Sequence, residues 1–228
     1  MKEILVTAYQ GARRRITELA EGLREDQLRL PVPATPGWTV HELLAHLAGG
    51  SADAVSGRLD AVASDQWTAR HVGERRHLPV GELLAEWNRN GPTAEAGMSD
   101  ESALGPNLAA DALCHEADLR EALGLSRVDR EHWQPFLDLM MRFLGRQFRD
   151  QTALLISDDT GRQWSCGSGE PAIRLHADGY ELLRATYGRR SRRQIAGWNW
   201  TPEPAAHIIE GFSYFGPRDD DQPVPVAG

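Results

Sequence analysis

The sequence predicts an α+β protein, with an N-terminal four-helix bundle over residues 1–150 and a small α+β domain over residues 151–228. Three observations carry that prediction. Up to Asp150 the apolar residues recur at spacings of three and four, broken by Pro, Gly and Asp. After Asp150 they fall into short runs separated by Gly-containing turns, the pattern of brief strands. The chain has 228 residues, 41% hydrophobic and 25% charged, the length and balance of one large or two small globular domains.

Each element can be justified in order. Residues 2–23 place Ile4, Leu5, Ala8, Ala12, Ile16, Leu19 and Leu23 on one helical stripe. Pro31, Pro33, Pro36 and Gly37 make an irregular link. Thr39 then caps a second helix, with Glu42 three residues on to reach back, and Trp38 and Leu43 stand at the two positions of a hydrophobic staple. This helix is expected from Val40 into the low sixties, with Gly49 and Gly50 as a soft point or a close-packing site. A third helix is expected over Val80–Ala96 around Leu83, Leu84 and Trp87. A fourth is expected from a cap at Asn107 to a stop at Gly124. Residues 130–149, with Trp133, Phe136, Leu137, Met140 and Phe143, form a fifth helix leading onward. Strands are expected at Thr152–Ser157, Arg162–Cys166 and Ala172–His176, and a short helix at Gly179–Tyr187. Residues 189–221 read as mixed, and 218–228 as a polar tail.

Composition excludes several classes. No apolar run approaches the ~18–20 residues needed to cross a bilayer, and MKEILVTAYQGARRR lacks the apolar core and cleavage site of a secretory signal. Two cysteines, Cys114 and Cys166, cannot build a disulfide framework. The expectation is a cytoplasmic protein with no membrane partner. A net charge of −8 argues against a nucleic-acid partner. Lys2 is the only lysine among 25 basic residues, which favours a GC-rich bacterial source such as an actinomycete.

The chemistry-bearing residues cluster in two helices. In LAADALCHEADLREALG, Asp111 and His115 are four apart and share one helical face. Asp118, three residues further, is placed to orient the imidazole. A D-x-x-x-H pair alone is more often a solvated or satisfied face than a site. The string HELLAH in the second helix is not the zinc-protease motif, because His41 and His46 are five apart and about 140° apart around the helix. His46 is the residue of interest: with Asp111 and His115 it would give three ligands from facing helices, leaving an open position as catalytic metal sites do. Cys114 reads as a buried thiol; Cys166, in the strand-turn WSCGSG, is open to exposure but has nothing nearby to activate it. His71, His77, His132, His176 and His207 lack ligand-spaced partners. Trp198 and Trp200 either line a pocket or close the small domain.

These residues resemble a known family. PGWTVHELLAHLAG, with Trp38 and His46, is similar to the metal-binding helix of the mycothiol-dependent maleylpyruvate isomerase family, within the DinB-like four-helix-bundle superfamily. CHEADLREALG is similar to the family's H-x-x-D-L-x-x-A-x-G segment through His115, Asp118, Leu119, Ala122 and Gly124. GELLAEWNRN is similar to its third helix, and YELLRATYGRR to the L-L-x-x-x-x-G-R segment of its C-terminal domain. The resemblance implies His46 and His115 as metal ligands. It also implies a third ligand four residues before His115, where the family usually has glutamate and this chain has Asp111. The implied cofactors are a divalent metal, commonly zinc, and mycothiol. The implied partners are this low-molecular-weight thiol and a small electrophilic substrate. Arg189 matches or flanks the G-R segment with Arg190, and is implied as a contact for a substrate or thiol carboxylate, against a solvated cluster with Arg184, Arg192 and Arg193.

Two function classes stand. The first is a metal- and mycothiol-dependent isomerase or thiol S-transferase in which a metal-activated thiolate adds to the substrate. The second is a non-catalytic, DinB-like protein that binds a metal or small ligand.

Overall fold

The computed structural model describes residues 2–98, 104–151 and 153–226. They form two compact units, one running up to Arg127 with Pro225 and Val226, the other from Val128 to Val224. The class is α+β, a helical N-terminal part followed by a small mixed sheet with helices. The sequence expects the division after residue 150. The compact units instead meet at 127/128, because the helix at 130–147 packs on elements of the second unit.

In the first unit α1 (Lys2–Glu21), α3 (Val40–Ser56), α5 (Val80–Gly97) and α6 (Leu104–Ala122) are the long helices, with α2 (Glu25–Leu28) and α4 (Asp65–Arg75) between them. Helix α3 packs on α4, α5 and α6, and α1 closes the bundle on α5 and α6. The buried stripe of α1 is Leu5, Tyr9, Ala12, Ile16 and Ala20, whereas Ile4 is exposed. The stripe runs through Tyr9 because the Trp87 indole donates a hydrogen bond to its hydroxyl at 2.8 Å, which satisfies both polar groups inside the core.

Helix α3 starts as its sequence says. The Thr39 hydroxyl accepts from the Glu42 amide at 3.3 Å, and Glu42 Oε2 accepts from the Thr39 amide at 2.9 Å. It ends earlier than expected, at Ser56, because Gly57 adopts φ +74° and donates back to the Asp53 carbonyl. Helix α4, absent from the sequence expectation, follows: Ser64 caps it by accepting from the Trp67 amide at 3.2 Å. Helix α6 begins at Leu104, so Asn107 lies inside it and does not cap it.

In the second unit α7 (Arg130–Gln147) packs on β2 (Gln163–Cys166) and α8 (Gly179–Thr186). Among the described residues the sheet has the order β2-β1-β3-β4, with β1 at Leu154–Asp158, β3 at Ile173–Ala177 and β4 at Asn199–Thr201. Strand β1 pairs antiparallel with β2 and parallel with β3, in the register Leu154↔Ile173 and Ile156↔Leu175. Burial alternates along β1 and β3, giving the sheet one apolar face. Thr152, expected to open the first strand, lies outside the described residues.

Short helices α9 (Arg192–Ala196) and α10 (Ala206–Glu210) complete the unit. Trp198 and Trp200 pack on Phe212 with ring centroids 5.7 and 6.0 Å away, closing the domain. The expected polar tail is partly anchored: Arg192 pairs with Asp219 and Arg193 with Asp221, and Gln194 donates to the Gln222 carbonyl at 2.7 Å. Among the described residues no helix is long and apolar enough to cross a membrane.

Candidate metal centre

Helices α3 and α6 bring His46, Asp111 and His115 together in the first unit. Asp111 and His115 share a face of α6 one turn apart, and His46 is seven residues beyond the Thr39 cap of α3. Asp111 Oδ1 lies 3.4 Å from His46 Nε2 and 3.4 Å from His115 Nε2, and the three ligand atoms all lie within 4.8 Å of one another. A distance of 3.4 Å is long for a hydrogen bond between an imidazole and a carboxylate. It equals the ligand–ligand edge of a tetrahedral site, about 3.3–3.6 Å for bonds of ~2.0–2.2 Å. The donor set, and its two edges at Asp111, therefore fit a divalent cation.

Burial is uneven. His46 is 1% and His115 5% exposed, whereas the Asp111 side chain is 30% exposed and leaves an approach from solvent. Burial pushes the Asp111 carboxyl up, but the two imidazoles more than offset this and hold it far below the usual range. Burial pushes His115 down, and Asp111 and then Asp118 overcome it, raising the imidazole to about 9. Without a cation Asp111 and His115 thus form an ion pair.

Each imidazole is held from behind. His115 Nδ1 donates to Asp118 Oδ2 at 2.9 Å, so its Nε2 faces Asp111. His46 Nδ1 lies 3.2 Å from Nδ1 of His71, whose Nε2 donates to Asp53 Oδ2 at 2.8 Å. His71 and Asp53 are both fully buried, and Arg70 and Arg58 ion-pair with Asp53 at 2.5 and 2.9 Å. Burial would raise the Asp53 carboxyl, yet His71 and Arg70 keep it below its ordinary value; burial lowers His71. The Trp38 ring lies 5.0 Å from His46 and 6.1 Å from His115, and Trp67 lies 5.8 Å from His46. Two aromatic walls thereby border the imidazoles.

His71 and Asp53 are what the sequence reading missed. His71 has no partner at ligand spacing, but it follows Trp67 by one turn behind the Ser64 cap. Opposite it, Gly49 carries no Cβ, and one built there would stand 2.5 Å from the His71 ring. Gly49 is thus a close-packing site, the second of the two readings of that pair.

The other candidates fall elsewhere. His41 Nε2 donates to the Leu78 carbonyl at 2.8 Å, away from His46. Arg189 lies in the second unit, half-buried, with Nη1 donating to the Tyr187 carbonyl at 2.7 Å. Arg184 and Arg190 are buried, so the reading of a solvated arginine cluster fails for both; Arg190 forks onto Glu181 at 2.5 and 2.8 Å. Both cysteines are buried, Cys166 included, and burial pushes the Cys166 thiol up to about 11.

Comparison with known proteins agrees with this architecture. The crystal structure of the mycothiol-dependent maleylpyruvate isomerase and that of a histidine-to-alanine mutant share the fold, with TM-scores of 0.56 and 0.60 at 11% and 12% identity. Each superposition covers 90% of this chain and 95% of the other. No curated protein matches the chain. The family model described as mycothiol maleylpyruvate isomerase N-terminal domain matches residues 9–135, which contain every residue of the centre. That match spans more than half of the sequence, and the chain belongs to this family.

Proposed function

We propose that the protein is a metal-dependent enzyme of the maleylpyruvate isomerase type, an isomerase or thiol S-transferase that uses mycothiol on a small electrophile. The observation that carries this reading is that His46 Nε2 and His115 Nε2 each lie 3.4 Å from Asp111 Oδ1, with the three ligand atoms within 4.8 Å of one another. These residues would hold a divalent ion, zinc being suited to a mixed nitrogen and oxygen set, and such an ion would stabilise a thiolate at neutral pH.

The chain's own residues do the rest. His46, Asp111 and His115 would hold the ion, and Asp118 orients His115. Trp38 and Trp67 shield the imidazoles from water, and the partly exposed Asp111 marks the open approach. Neither cysteine is suited to act as nucleophile, since both are buried, which agrees with a thiol supplied from outside. We assign Arg189 to a carboxylate of the substrate or thiol, a role its planar fork suits.

The test is elemental mass spectrometry of wild type beside His115→Ala, followed by turnover with mycothiol and a cis-alkene dicarbonyl acid. About one divalent metal per chain is expected in the wild type and none in the variant. A wild type that takes up no metal after incubation with zinc overturns the reading. Metal binding without turnover of any thiol adduct selects the non-catalytic, ligand-binding alternative.

A further inference from the structure

We propose that His71, backed by Asp53, is a positioning residue that fixes His46 with a proton on Nδ1 and with Nε2 turned to Asp111 and His115. The inference rests on the metal-binding reading above and adds residues to it. It follows from counting protons along a buried chain. Asp53 is fully buried, ionised and accepts from Arg58 and Arg70, so it has no proton to give. Its Oδ2 lies 2.8 Å from His71 Nε2, and the proton in that bond therefore sits on His71.

A neutral imidazole carries one proton, which leaves His71 Nδ1 as an acceptor. That atom faces His46 Nδ1 at 3.2 Å. Two lone pairs do not face each other at this distance, so His46 Nδ1 carries a proton and Nε2 is the nitrogen left to hold a metal. Asp118 does the same for His115 directly. Both histidines thereby turn Nε2, the nitrogen nearest Asp111, to the place a metal would take, with the Nδ1 side held for one by a carboxylate and for the other by a carboxylate acting through a third histidine.

The place of His71 is built by the backbone around it. A Cβ on Gly49 would stand 2.5 Å from both Cβ and Cγ of His71, so the ring lies flush against α3 and cannot retreat from His46. Trp67, one turn earlier on α4, closes the other side with its ring centroid 4.1 Å from that of His71.

The first experiment is long-range ¹H–¹⁵N correlation on metal-free protein labelled at its histidines. His46 is expected to carry a proton on Nδ1, and an Nδ1 without a proton overturns the proposal. The second is the zinc dissociation constant, by chelator competition, for wild type, His71→Phe and His71→Gln. Phenylalanine fills the space without a nitrogen, and zinc should bind about 10–100-fold more weakly, with His46 losing its fixed Nδ1 proton. Glutamine can donate to Asp53 and accept from His46, and should recover most of that loss. Affinities within twofold across all three proteins, with an unchanged His46, overturn the assignment while the metal reading stands. A wild type that binds no zinc overturns the metal reading instead, and the Nδ1 proton of wild-type His46 then decides the role of His71; it also decides if His71→Phe fails to fold.

Discussion

At the scale of single residues the centre depends on what each buried group can donate or accept. Asp118 is fully buried and receives the His115 Nδ1 proton at 2.9 Å. An asparagine there keeps a carbonyl acceptor, and an alanine does not. Asp118→Ala is therefore expected to weaken zinc binding by about 10–100-fold and Asp118→Asn by less, measured by chelator competition. Equal losses would mean that charge rather than orientation is what Asp118 supplies. Cys166 gives a second prediction. With its thiol raised to about 11 by burial, it should resist a disulfide reagent at pH 8 in the folded protein and react at once in denaturant. Fast labelling of the native chain would contradict that placement.

At the scale of elements, α3 shows how two adjacent glycines differ. A Cβ on Gly49 meets the His71 ring at 2.5 Å, whereas one on Gly50 meets Trp67 at 3.8 Å, an ordinary contact. Gly50→Ala should stabilise by about 0.5–1 kcal/mol through helix propensity alone. Gly49→Ala should destabilise by about 1–3 kcal/mol, because the overpacking outweighs the same gain. Urea denaturation of both variants checks the difference in sign. The two positions are indistinguishable in the sequence, since what separates them is α4, an element that hydrophobic spacing does not announce. Its buried residues Trp67, His71, Val72 and Arg75 include only two apolar side chains, so no stripe forms. The Ser64 cap is its sole clear local signal.

At the scale of the whole molecule, carboxylates held below their ordinary values set the response to acid. Burial would raise Asp53, but His71 and Arg70 hold it down. Burial would likewise raise Asp159, which the Gly179 amide and Arg130 hold down. Such groups bind fewer protons folded than unfolded. Their contribution is complete above the unfolded value of about 3.9 and is lost as pH falls through the folded values. Thermal melts of metal-free protein should thus weaken as pH drops below about 4. Asp159→Asn should flatten part of that fall, and unchanged curves would remove Asp159 from the account.

Legible in the sequence are the class, the cap of α3 at Thr39, the helical stretch carrying Asp111 and His115, and the strand-rich second part. These follow from local rules of spacing, capping and turn chemistry that act within a few residues. Packing, by contrast, places α7 with the sheet, stops α3 at Gly57, and sets His71 and Asp53 behind His46. Asp53 and His71 are eighteen residues apart on different helices, and the proton chain that joins them exists only when α4 docks on α3. Periodicity reports which side of one helix is buried, while the direction of a hydrogen bond between two helices depends on packing that no single segment encodes.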